Sequence, residues 1–318
     1  MSYATQSHTN ITVGWSLLAR VMISTLTTLP CCVFLFVNGV MLFTLRSKTI
    51  FRETSRYILL FNLLLTETIQ MALSQILYLL AACRIRLTYP VCGVLMLFSS
   101  LTTSVSPVTL VVMSLERYVA VCYPLRHSTI ITSRNTAVAI IVVWIFSSLN
   151  ILTRVLLLLN FPFEDLESLQ MKYYCGTFVM ILDPISEHYD KAYTCFLFVS
   201  AGTAVTSSYI GVIIAARSAL TDKASAQKAR NTLLLHLVQL GLSLVSTMHN
   251  SMLIALSRIV TRIALVRSQT VLYVCIIIFP RCLSSLIYGI RDHTIRPVLM
   301  YHLCCRLKLS VVSAKVSC

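Results

Sequence analysis

Met113-Ser114-Leu115-Glu116-Arg117-Tyr118-Val119-Ala120-Val121-Cys122-Tyr123-Pro124-Leu125-Arg126-His127 is the stretch where a long apolar run, residues 92 to 115, meets a group of charges. A carboxylate beside a guanidinium at the edge of an apolar run suits a switch. The ion pair is stable while shielded from water and opens when the surrounding helices separate. An isolated Glu-Arg pair at a membrane border does no more than anchor a helix end, so the weight of the reading rests on what surrounds Glu116 and Arg117.

The run that ends there is one of seven. Apolar stretches lie near residues 21 to 45, 57 to 82, 92 to 115, 136 to 159, 193 to 216, 233 to 256 and 269 to 290. Crossing a hydrocarbon core takes ~20 residues of helix, and each stretch is apolar on nearly every face, as lipid contact requires. The chain has 318 residues, of which 57% are hydrophobic and only 12% charged, and its mean hydropathy of +0.82 is too high for a water-soluble domain of this size. The expected fold is an all-α membrane protein, a seven-transmembrane helix bundle spanning 21–290. An N-terminal tail, 1–20, precedes it, and a short amphipathic surface helix and tail, 291–318, follow. There is no internal repeat of the kind transporters use. Nor is there a nucleophile-and-base or membrane-embedded metal constellation, so neither an enzyme nor a cofactor or metal is expected.

The net charge of +15 would suggest nucleic acid in a soluble protein, but the basic residues cluster between apolar runs, so no nucleic-acid partner is expected. Their distribution sets the orientation. Sixteen Lys and Arg, among them Arg46, Lys48, Arg52, Arg56, Arg117, Arg126, Lys228, Arg230 and Arg291, fall on one side; nine, among them Arg84, Arg154 and Lys191, fall on the other. The N-terminus is therefore expected outside and the C-terminus in the cytoplasm. With no Lys or Arg in the first fourteen residues, the first helix is expected to act as its own insertion signal. Asn10-Ile11-Thr12 becomes an outward-facing glycosylation acceptor. Of twelve cysteines, Cys31, Cys32, Cys122, Cys195, Cys275 and Cys282 sit in or at the ends of apolar runs, as small packing residues do. Cys92, at the start of the third run, and Cys175, in the long loop after the fourth, are placed for a disulfide; Cys83 is a competing partner, and free thiols are the other reading.

The stretch around Glu116-Arg117-Tyr118 resembles the Asp-Arg-Tyr region of rhodopsin-like G-protein-coupled receptors. Its longer form through Pro124-Leu125 is similar to that of odorant receptors of the fish type, with Glu116 in place of the usual Asp. Asn38, the run Asn62-Leu63-Leu64-Leu65-Thr66-Glu67, and Trp144 fall where such receptors keep polar or aromatic residues; Ser208-Tyr209 and the stretch Lys228 to His236 resemble their fifth and sixth helices. The seventh run ends Ser284-Ser285-Leu286-Ile287-Tyr288, in register with the family's Asn-Pro-x-x-Tyr but with serines in place of Asn and Pro. That exchange removes a helix kink.

The resemblance implies a disulfide between Cys92 and Cys175. It also implies an activation switch of Glu116, Arg117, Tyr118, Tyr209 and Tyr288, and contacts to a heterotrimeric G protein, of the stimulatory kind, through Arg126, Lys228, Arg230 and His236. Glu67, a carboxylate in mid-membrane, is costly unless protonated, ion-bound or paired. Arg281 at comparable depth is its expected counter-charge, with Asn38 nearby in the same polar set. Cys304 and Cys305, next to Arg306 and Lys308, are candidate palmitoylation sites.

A small organic ligand, an odorant, is expected to enter from outside. It would be lined by Ser99, Ser100, Thr103 and Ser104 on the third helix, Tyr193 and Thr194 on the fifth, and Thr247 and Ser251 on the sixth. The absence of a carboxylate along the outer third helix argues against amines and for a neutral pocket with hydroxyls. Each hydroxyl also has an alternative role as an interhelical hydrogen bond. The resemblance implies residence in the plasma membrane of olfactory neuron cilia; a rhodopsin-like receptor for another small ligand, expressed outside the nose, would share nearly every feature.

Overall fold

The computed structural model describes residues 2–83, 85–159, 175, 184–218, single and paired positions between 231 and 246, 273–279, 281, 285 and 294–302, with the side chains of 2–20 and a few later ones outside the description. Helices α1 (Ser2–Ser47), α2 (Thr49–Glu53), α3 (Ser55–Ala82), α4 (Tyr89–Cys122), α5 (Pro124–Ile130), α6 (Ser133–Leu159) and α7 (Pro184–Ser218) follow in order. The breaks between them have local causes. Lys48 and Thr54 adopt extended backbone on either side of α2. Tyr123, held before Pro124, leaves the helical region at φ −131° and ends α4, as a residue preceding proline is pushed to do. Pro124 then opens α5, where its missing N–H is no loss.

Five segments among the described residues are long and apolar enough to span a membrane: Ser24–Ser47, Ser55–Ala82, Tyr89–Cys122, Ser133–Leu159 and Pro184–Ala215. They correspond to the first five apolar runs. The sixth and seventh runs fall largely outside the described residues; the described positions between 231 and 246 are helical, and Tyr273–Ile278 forms a π-helical turn. The helices overrun the apolar runs, α4 ending at Cys122 instead of residue 115 and α7 beginning at Pro184 instead of residue 193. Hydropathy marks lipid contact, whereas the backbone hydrogen-bond ladder continues past it by about two turns.

The packing is inverted relative to a soluble domain. Val138, Ile141, Val142, Ile145, Leu149, Leu152 and Leu156 of α6 point outward and are exposed. Buried positions include Asn38, Asn62, Thr66, Glu67, Gln70, Gln75, Ser104, Ser106, Thr109 and Asn150. Where lipid replaces water, apolar side chains have nothing to gain by leaving the surface, and close packing and interhelical hydrogen bonds hold the bundle instead. Helix α4 is central, packing on α3, α6 and α7, while α1 packs on α3. One apolar cluster joins Val40, Met41 and Leu45 of α1 with Leu60, Leu63 and Leu64 of α3, Leu110 and Met113 of α4, and Ala201 and Val205 of α7. Ile295 and Leu299, on helical residues 295–302, close the same cluster. A second cluster gathers Cys31, Met71, Tyr273 and Ile278. There Gln75 donates to Thr28 at 2.9 Å and accepts from Tyr273 at 3.2 Å, binding α1, α3 and the seventh run.

Candidate functional site

At the Arg117 end of α4, Glu116 is 8% exposed. Its carboxylate meets Arg117 Nε at 3.5 Å and His127 Nε2 at 3.8 Å. His127 lies on α5, so the carboxylate faces partners on two helices. Among the described residues Arg117 Nη2 is buried without a hydrogen-bond partner, which leaves the guanidinium incompletely satisfied in this arrangement. The next residue, Tyr118, sets its ring edge-on to Tyr123 at 6.1 Å and against the backbone of α7 at Gly211. A Cβ at Gly211 would lie inside the van der Waals shell of Tyr118 Cε2, and Cys122 donates to the Gly211 carbonyl at 3.6 Å. Gly211 therefore lets α4 and α7 close at this end. Its importance was illegible beforehand, because a glycine in an apolar run carries no sign of which ring will lie on it. Substituting Gly211→Ala is expected to displace Tyr118 and raise ligand-independent signalling several-fold, at near-normal surface amounts, measured as basal G-protein activation.

Tyr209 is half-buried on α7, two residues before Gly211, and Arg126 is exposed on α5. Lys228, Arg230, His236, Tyr288, Cys304 and Cys305 lie outside the described residues, as do the side chain of Asn10, Thr247 and Ser251.

In mid-bundle, Asn62 of α3 joins three helices. Its Nδ2 donates to Thr109 of α4 at 3.1 Å, and its Oδ1 accepts from Trp144 Nε1 of α6 at 2.9 Å. One turn further, Glu67 Oε1 accepts from Ser106 at 3.3 Å. Arg281 donates to Ser246 at 3.1 Å, so the guanidinium is held against the sixth run. Ser285, in the proline's place, donates to Asn38 of α1. The serine exchange thus does more than remove a kink: it supplies a hydroxyl that ties the seventh run to the first.

At the opposite end, Cys92 and Cys175 are joined by a disulfide, with Cα atoms 5.6 Å apart, and Cys83 is a free thiol. The bond fixes the loop after α6 to the start of α4. The hydroxyl-bearing residues of α4 separate into two roles. Ser99 accepts from Gln70 Nε2 at 2.9 Å, and Thr102 also bonds Gln70, so these face α3 and hold helices together. Thr103 and Ser104 donate to the carbonyls of Ser99 and Ser100 at 2.8 and 3.0 Å, and Ser104 accepts from Asn150 of α6 at 3.4 Å. Thr194 and Tyr193 are half-buried on α7.

Beside Tyr193 lies a group that the expectation of a neutral, hydroxyl-lined pocket omitted. Arg154 of α6 and Asp190 of α7 form an ion pair at 2.5 Å, and the Arg154 guanidinium carbon stands 6.0 Å from the rings of both Tyr189 and Tyr193. Arg154 counted as a flanking charge in the sequence; only the approach of α6 to α7 brings it to Asp190, 36 residues on.

The fold and these contacts define an α-helical integral membrane protein with a polar interior and a disulfide closing one end. The family model of the 7 transmembrane receptor (rhodopsin family) matches residues 37–288. Odorant receptor 131-2 of Danio rerio is 32% identical over 276 residues, covering 86% of this chain and 83% of that protein. Shorter similarities connect it to olfactory receptor-like protein OLF4 of Canis lupus familiaris, 34% over 24% of this chain and 25% of the relative. Olfactory receptor 2A1/2A42 of Homo sapiens is 46% identical over 17% of this chain and 18% of its own. The chain belongs to the rhodopsin family of seven-transmembrane receptors, and within it groups with the odorant receptors.

Proposed function

We propose that this chain is an odorant receptor of the plasma membrane that binds small organic molecules from outside and activates a heterotrimeric G protein of the stimulatory kind. The observation that carries the reading is similarity to an odorant receptor across nearly the whole membrane domain. Orientation follows from the basic residues: Arg46, Arg52, Arg56, Arg126 and Arg296 share the Arg117 side, which is the cytoplasmic one. The ligand then enters at the Cys92–Cys175 end, toward Ser100, Thr103, Ser104, Tyr193 and Thr194, with Thr247 and Ser251 contributed by the sixth helix.

Signal leaves at the other end. The Glu116–Arg117 pair opens, Tyr209 and Tyr288 rearrange, and Arg126, Lys228, Arg230 and His236 meet the G protein. Glu67 and Arg281 act as a counter-charge pair within the polar interior. Helical residues 295–302, with Ile295 and Leu299 buried and Met300 and Tyr301 exposed, lie on the membrane surface, where Cys304 and Cys305 are open to palmitoylation; Asn10 carries a glycan. The test is cAMP accumulation in cells expressing the surface-tagged chain with an olfactory-type G protein, across a panel of water-soluble odorants. A ligand-dependent rise of several-fold is expected. Silence in this and in broader G-protein readouts, with the receptor on the surface, would defeat the reading.

A further inference from the structure

The Arg154 cluster contains more hydrogen-bonding capacity than the helices use. A guanidinium presents five N–H donors in a fixed fork, and only the side bearing Nη2 is engaged with Asp190. Among the described residues Arg154 Nε is buried without a hydrogen-bond partner, and the buried Tyr193 hydroxyl has only the Ser104 hydroxyl near it. The two are close to each other, since the guanidinium carbon lies 6.0 Å from the Tyr193 ring. Asn150, on the same helix as Arg154, is satisfied from both sides: it accepts from Tyr189 at 3.1 Å and donates to Ser104 at 3.4 Å. A joint whose only task was to hold α6 to α7 would be complete with Asp190, Asn150 and Tyr189. Buried donors that find no acceptor are rare because each is costly, and the Arg154 Nε–H, beside a tyrosine hydroxyl on the facing helix in the region where the ligand is read to bind, indicates a missing acceptor.

We infer that Arg154 and Tyr193 form a recognition pair for a hydrogen-bond-accepting oxygen, a carbonyl or carboxylate, on a small ligand with an apolar or aromatic body. The inference rests on the odorant-receptor reading and specifies its ligand class. Asp190 offsets the charge of Arg154, so the site selects hydrogen-bond geometry more than net charge. The ring of Tyr193 is flanked by Phe146 at 6.4 Å and Tyr189 at 6.3 Å, both near parallel to it, which gives the site an aromatic wall for the ligand's body. A site built to bond an oxygen rejects analogues lacking it more strongly than an apolar pocket rejects an extra methylene.

The experiment uses full-length, surface-tagged receptor and one carbon skeleton: ethylbenzene, phenylethanol, acetophenone and phenylacetate, read as G-protein activation. Two substitutions spare the fold. Tyr193→Phe removes only a hydroxyl and keeps the ring contacts; Arg154→Lys keeps a cation for Asp190 and removes the Nε donor. Acetophenone or phenylacetate is expected to activate at concentrations at least tenfold below ethylbenzene, and each substitution is expected to raise that concentration at least tenfold at unchanged surface amount. Preference for phenylacetate assigns the larger part to the charge of Arg154, preference for acetophenone to neutral hydrogen bonding. Activation by the hydrocarbon or alcohol with no advantage for the carbonyl and carboxylate compounds, or responses to those compounds unmoved by both substitutions, overturns the recognition pair and leaves the odorant-receptor reading standing. Silence to this set, with responses to other odorants, does the same. Silence to every chemical class overturns both.

Discussion

Arg117→Ala is expected to reduce ligand-driven G-protein activation to below a tenth of the wild-type response, while Glu116→Gln is expected to raise activation without ligand several-fold. Both follow from one arrangement. Glu116 is nearly buried and holds Arg117 at 3.5 Å, with His127 approaching the same carboxylate at 3.8 Å. Surface ion pairs contribute ~0–1 kcal/mol, and this one is shielded, so the pair favours the closed arrangement by about 1 kcal/mol, and releasing it shifts the population toward the open one roughly fivefold. Removing the carboxylate's charge releases Arg117 and favours the open state. Removing the guanidinium leaves nothing to occupy the space that opens when helices separate. Guanine-nucleotide exchange, normalised to surface receptor, distinguishes the two. Equal loss from both substitutions would show the pair to be a helix anchor only, and His127→Ala, which removes the second partner alone, is expected to give a smaller basal rise than Glu116→Gln.

The apolar runs were legible because lipid imposes one rule on every residue of a span, and any window of ~20 residues reports it. The helix ends were less so: nothing in the polarity of Glu116 to Cys122 distinguishes a helix leaving the membrane from a loop, and α4 continues to Cys122. Individual polar residues stood out for their cost, as Glu67 did, but their partners did not. Asn62 bonds to residues 47 and 82 positions away, and such pairings depend on how helices rotate against one another, which a single apolar surface does not encode. Ser99 and Ser104 looked alike in sequence; one faces Gln70 of α3 and the other Asn150 of α6, because a separation of five residues in a helix turns the two side chains to different neighbours. Arg154, Asp190 and Gly211 were missed for the same reason. Each matters through a contact with another helix.

Asn62→Leu is expected to cost the bundle about 1–3 kcal/mol, most of it from the single indole N–H left without an acceptor. Asn62 is 6% exposed. It accepts from Trp144 at 2.9 Å and donates to Thr109 at 3.1 Å, and leucine has the volume but neither group. Thr109 tolerates the loss, since its hydroxyl also donates to the Val105 carbonyl at 2.8 Å. Trp144 has no second way to satisfy Nε1, an indole being donor only. Interhelical hydrogen bonds in membranes average only about 0.6 kcal/mol, so the orphaned donor, not the lost attraction, sets the size of the effect. Asn62→Asp keeps the acceptor and is expected to preserve the Trp144 bond. Trp144→Phe, introduced into the Asn62→Leu background, removes the orphan and is expected to recover part of the loss, giving a coupling between the two positions that thermal denaturation of receptor in nanodiscs would measure. Strict additivity of Asn62→Leu and Trp144→Phe would mean that the indole finds another acceptor, and that the Asn62–Trp144 bond contributes nothing to holding α3 to α6.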